Sequence, residues 1–77
     1  MAVAIGTKKK VVKVIELVGV SSESWTDAAK NAVAQAAKTV HGITGLDVLH
    51  STAVIEGSEI KEYHVNVKIA FVYEPAD

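Results

Sequence analysis

The chain has no cysteine. Disulfides and thiolate metal sites are therefore excluded, an absence that fits a cytoplasmic protein. The one proline, Pro75, stands near the end, where it is expected to stop the last strand. No apolar run reaches the roughly 18 residues that a membrane helix requires. No basic, apolar and small-residue segments follow one another as in a secretory leader. The expectation is a protein that neither spans a membrane nor is exported. Charge of one sign is also lacking: 8 basic against 9 acidic residues leave a formal net charge of -1. A general nucleic-acid binder normally carries a clear positive excess, so nucleic acid is not an expected partner. The basic run Lys8-Lys9-Lys10 has no interleaved aromatics and reads as a solvated arm. There is no Ser-His-Asp arrangement with supporting glycines, no close carboxylate pair and no phosphate-binding glycine loop. The chain is accordingly not expected to be an enzyme.

What is present is apolar patterning. With 77 residues, one domain covering 1–77 is the sensible count, led by a flexible segment over 1–9 and ended by a fraying tail over 75–77. Apolar residues make up 49% of the chain, more than so thin a core needs, so the excess is expected to be shared with further copies. The clearest period of two runs through Tyr63, Val65, Val67, Ile69, Phe71 and Tyr73, with Glu62, His64, Asn66 and Lys68 on the other face. A strand over 46–55 precedes it, and Glu56-Gly57-Ser58-Glu59 makes the reversal. Val11 to Val18 reads as the first strand, apolar on both faces and rich in β-branched residues.

Between the first two strands lies a helix. Ser21, Ser22 and Ser24 can each cap it, and Ser24 with Asp27 has capping-box spacing. Trp25, Ala28 or Ala29, Ala32, Ala36 and Val40 recur at helical spacing, which predicts a helix to about Val40 or His41 with an alanine seam close to the sheet. Asp27 and Lys38 suit its dipole, and Gly42 its C-cap. The fold class is therefore α+β: β-α-β-β, one helix on a three-stranded antiparallel sheet.

If Ile55 pairs with Ile60, then Leu46 meets Ile69, Val48 meets Val67, His50 meets Val65 and Thr52 meets Tyr63 beneath the helix. On the opposite face Asp47 meets Lys68, Leu49 meets Asn66 and Ser51 meets His64. A slip of one residue would invert these faces. The opposite face is mixed, broken by Leu49, Ala53, Ala70 and Val72, and a mixed uncovered face points to self-assembly.

Several side chains are candidates for function. His64, Ser51 and Asn66 are placed together on the open face, where they could contact a planar small-molecule ligand. Asp47 and Lys68 form an expected structural ion pair, within the sheet or between subunits, of about 0.2–1 kcal/mol. Asp47 repeated by symmetry could gather a cation, since carboxylate oxygens suit hard metals. Trp25 reads as a structural anchor or a contact between protomers. His41 and His50 show no zinc-type spacing, and His50 is expected to face the helix.

Val14-Ile15-Glu16-Leu17-Val18-Gly19-Val20-Ser21 resembles the opening strand and turn of the dodecins. Ala28-Ala29 through Ala36-Ala37-Lys38-Thr39-Val40 resembles their helix, and Glu62 to Phe71 their closing strand. The resemblance runs without a gap from about Lys10 to Glu74. It implies a homododecamer, a hollow shell built from protomers whose sheet wraps the helix. It also implies storage or buffering of a flavin, riboflavin or FMN, stacked in pairs between tryptophans at subunit contacts; some bacterial members hold coenzyme A. The position matching the stacking tryptophan is Gly45, which has no π-face. The position matching the glutamine that recognises the flavin ring is His64, which lacks an amide's paired donor and acceptor. Losing the aromatic platform should cost on the order of 1–3 kcal/mol per stacked ring, taking the value for bases. Ordinary flavin pairing is therefore not expected. The alternative is a non-flavin assembly, structural or linked by a cation.

Overall fold

The computed structural model describes residues 11–73. The expected lead-in over 1–9 and tail over 75–77 lie outside them. The elements are β1 (Val11–Ser21), α1 (Trp25–Ala36), β2 (Ile43–Glu56) and β3 (Glu59–Tyr73). They form one antiparallel sheet in the order β1-β3-β2, with α1 on one face. The α+β, β-α-β-β reading is the observed architecture.

Strand β3 takes the centre because its alternation gives it the strongest buried row. Val65, Val67 and Ile69 are fully buried and face Ala28, Ala32 and Ala36 of α1. Three alanines four residues apart make a smooth helix face, so the backbones approach closely. Gly19 on β1 completes the fit: it lies directly under the Ala28 carbonyl, and a methyl placed there would also sit 3.1 Å from Ala32 Cβ. Ile15 and Leu17 flank this contact as half-buried partners.

The helix start is fixed by two serines. Ser24 is the N-cap, its hydroxyl accepting from the Asp27 backbone N–H at 2.9 Å. Ser21, buried at the end of β1, donates to Asp27 Oδ2 at 2.7 Å and accepts from the Glu23 N–H at 2.8 Å. One hydroxyl thus ties the strand end to the first helical turn.

The helix ends earlier than its periodicity predicts, at Ala36 with Ala37 as C-cap. Lys38 N–H bonds back to Gln35 and Thr39 N–H to Ala36, a tightening of the last turn before β-branched Thr39 and Val40. Lys38 lies past the helix rather than in its last turn. Gly42 is not its C-cap; it takes a positive φ of 75° and its carbonyl accepts from Val72 N–H. At the other reversal Gly57 has φ 67° and no other described non-glycine residue is positive, the glycine-first pattern of a type II′ hairpin.

Two features depart from the expected sheet. The first is register. Leu46↔Ile69, Asp47↔Lys68 and Val48↔Val67 pair as expected, but Leu49 is left without a partner. Beyond it the pairs are His50↔Asn66, Ser51↔Val65, Thr52↔His64 and Ala53↔Tyr63. The bulge shifts the phase by one, so His50 and Thr52 leave the helix side while Ser51 and Ala53 join it. A second irregularity near Val54 restores Ile55↔Ile60.

The second departure is coverage. The helix packs on β1 and β3, not on the β2–β3 pair. A 12-residue helix is about 18 Å long, whereas 15 strand residues extend about 50 Å. The described chain measures 59 × 25 × 14 Å. Leu46 and Val48 on the helix side of β2 therefore stay exposed, as do Val12, Val14, Val18 and Val20 on the other side of β1.

Candidate functional site

The open face of the sheet is built from cross-strand rows. In the order β1-β3-β2 they read Val14–Ala70–Gly45, Glu16–Lys68–Asp47, Val18–Asn66–His50 and Val20–His64–Thr52. Their order follows from alternation on β1 and β3 and from the Leu49 bulge on β2.

Gly45 lies over Ala70, whose Cβ is 3.7 Å from where a Gly45 side chain would begin. Its φ is not positive, so backbone geometry does not demand glycine there. His64 lies on the same face but six residues along β3 from Ala70, roughly 20 Å away. Within one protomer the two positions cannot touch one small ring system.

His64 Nε2 is 3.0 Å from Glu62 Oε1. An ionised carboxylate only accepts, so Nε2 carries the proton and, in the neutral ring, Nδ1 keeps the lone pair. Asn66 Nδ2 donates to Glu16 Oε2 at 3.4 Å, linking β3 to β1. Asn66 is thus beside His64 as expected. Ser51 is not: opposite Val65 it belongs to the helix side, away from both. His50 takes the place that sequence assigned to Leu49.

Asp47 and Lys68 are direct partners, with Glu16 on the far side of Lys68. The ion pairs among the described residues are Lys61–Glu56 and His64–Glu62, so Asp47 and Lys68 face each other without closing one within the protomer. No group of three metal-ligating side chains converges among the described residues, Asp47 included. Trp25 meets Tyr63 edge-on, centroids 4.7 Å apart at 80°, and remains 40% exposed. It anchors the helix start to β3 and presents its free side outward.

Sequence reasoning did not place His50 and Thr52 on this face. One signal pointed to both. The apolar positions of β2 fall on even numbers at Leu46 and Val48 and on an odd one at Ala53, a change of phase that a bulge explains.

The dodecin family model matches residues 11–74, nearly the whole chain. The chain belongs to the dodecin family. A dodecin of Thermus thermophilus is 35% identical over 65 residues, 84% of this chain and 94% of that one. A calcium dodecin of Mycobacterium tuberculosis is 30% identical over 66 residues, 86% of this chain and 93% of that one. The crystal structure of the Thermus protein tt0972 superposes with a TM-score of 0.84 at 34% identity, covering 88% of this chain and all of that one. The crystal structure of the Mycobacterium calcium dodecin, described as having a novel calcium-binding site, gives 0.73 at 29%, covering 87% and 96%. The dodecin protomer fold accounts for the open sheet face and short helix described above. Among the described residues, no helix is long and apolar enough to cross a membrane.

Proposed function

We propose that this dodecin is the protomer of a self-assembling homododecameric shell that holds a small ligand where copies meet. The observation that carries the reading is the uncovered apolar surface. Val12, Val14, Val18 and Val20 on one side of the sheet and Leu46 and Val48 on the other are each at least two-fifths exposed. Surface of this kind is ordinarily buried against a partner. The separation of Gly45 from His64 supports the location of the site, because a ligand touching both positions must lie between two copies.

The ligand site belongs to Gly45, His64 and Asn66, with His50 and Thr52 replacing Ser51. It offers donors and acceptors from His64 and Asn66 but no aromatic platform at Gly45. Riboflavin or FMN would lose the stacking surface there, so the site suits a small polar or planar molecule held by hydrogen bonds. Native mass spectrometry tests both parts, since it reports subunit number and retained ligand together. Twelve subunits support the shell; a stable monomer sinks it. Riboflavin titration followed by fluorescence quenching tests the flavin branch separately.

A cation-linked assembly is the second reading, favoured by the similarity to a calcium dodecin. Asp47 and Glu16 present carboxylates on the same row, to either side of Lys68. Hard cations need about six or more oxygens, so several copies must contribute. Melting in calcium against melting in a chelator decides it: an unchanged midpoint removes the calcium reading.

A further inference from the structure

We propose that His50 and His64 form a two-imidazole chelate for a late first-row divalent cation such as zinc. The pair exists only because Leu49 is bulged. His50 is opposite Asn66, and His64 is two residues along β3 on the same face. That is a diagonal relation, with backbones about 7–8 Å apart and side chains closer. Imidazoles long enough to converge from such positions bind zinc at about 2.0–2.1 Å per nitrogen.

The His64–Glu62 contact is the second observation. Glu62 Oε1 lies 3.0 Å from Nε2, and with a carboxylate accepting there the neutral ring keeps its lone pair on Nδ1. A carboxylate behind a ligating histidine fixes its tautomer and raises its basicity, the usual supporting arrangement at metal sites. His64 is only partly exposed, its side chain at 30%, so the ring is held rather than free. His50 is exposed and can swing to meet it. Thr52, a small residue, is directly across from His64. The surrounding charges do not oppose a cation. From β1 the row partners are Val18 and Val20, with Glu16 one row away; from β2 the nearest charge is Asp47; Lys68 sits on β3 between those two acids.

Two imidazoles make a partial shell, with water or another donor completing it. Nitrogen ligands select zinc, nickel or copper over calcium, so this site is distinct from any carboxylate site at Asp47. The pair lies within one protomer but shares His64 and His50 with the proposed ligand site, so it is tested in ligand-free protein.

The test is a calorimetric zinc titration of the assembled, flavin-free protein at about pH 7.5 and again near pH 5.5, where histidine protonates. One zinc per chain is expected at the higher pH, with binding largely lost at the lower. His50→Gln and His64→Gln should each weaken binding at least tenfold, and Glu62→Ala by about 10–100-fold. His41→Gln should leave it unchanged, and excess calcium should not compete. Light scattering on each variant verifies that assembly is intact. Undiminished zinc affinity in intact His50→Gln or His64→Gln, or loss of binding in His41→Gln, overturns the proposal.

Discussion

Gly19 lies against Ala28 with no space between the strand and the helix carbonyl, and Ala32 Cβ is 3.1 Å from where a side chain would begin. The opposing atom is backbone rather than a mobile side-chain tip. Gly19→Ala must therefore move the helix off β1, and with it the alanine seam over Val65 and Val67. Overpacking of this kind costs about 1–3 kcal/mol. A lowered thermal midpoint, with weaker near-UV signal from the Trp25–Tyr63 pair, is the expected outcome; a midpoint equal to the parent's would show that the helix has room to shift.

The Ser24 cap is a second local determinant. Removing its hydroxyl leaves the Asp27 N–H without that acceptor at the start of α1. Ser24→Ala should destabilise by about 1 kcal/mol. Ser24→Asp should restore most of the loss, because a carboxylate also caps. Chemical denaturation of the three proteins side by side reads the order directly.

Val48 is exposed on the helix side of β2, beyond the reach of α1. Val48 pairs with buried Val67 but is itself about half exposed, so a lysine there can extend past its partner into solvent and secondary structure should be retained. If copies meet on this surface, a repeated charge opposes assembly. Val48→Lys should give parent-like far-UV circular dichroism and a smaller particle in light scattering. An unchanged particle size would remove this surface from the contact.

Flavin binding should be recoverable. A side chain at Gly45 would begin in ordinary van der Waals contact with Ala70 Cβ, at 3.7 Å, and the backbone there is ordinary for any residue. Gly45→Trp with His64→Gln supplies a stacking face and an amide. Stacking of about 1–3 kcal/mol per ring corresponds to roughly 5- to 150-fold tighter riboflavin binding. Quenching titrations of the double variant against the parent measure it, and equal affinities would show that the rest of the contact no longer fits a flavin.

The sequence by itself determined the elements and their types. Alternation in β3 named the buried row, the alanines at spacing four named the helix seam, Gly57 named the hairpin, and Ser24 stood among the caps offered. Each of these is a local property, written in the period of side chains or in the conformational range of one residue. Where local rules competed, the reading drifted: the helix pattern ran on to Val40, but β-branched residues and a tightened turn ended it at Ala36. Only the tertiary structure decided which strand stood in the middle, which strands the helix covered, and which histidines shared a face. Those depend on pairing between distant segments, and a single unpaired residue, Leu49, reverses the assignments from His50 to Val54. The bulge moved Ser51 away from His64 and brought His50 beside it, because a pleated strand has two faces and one extra residue exchanges them.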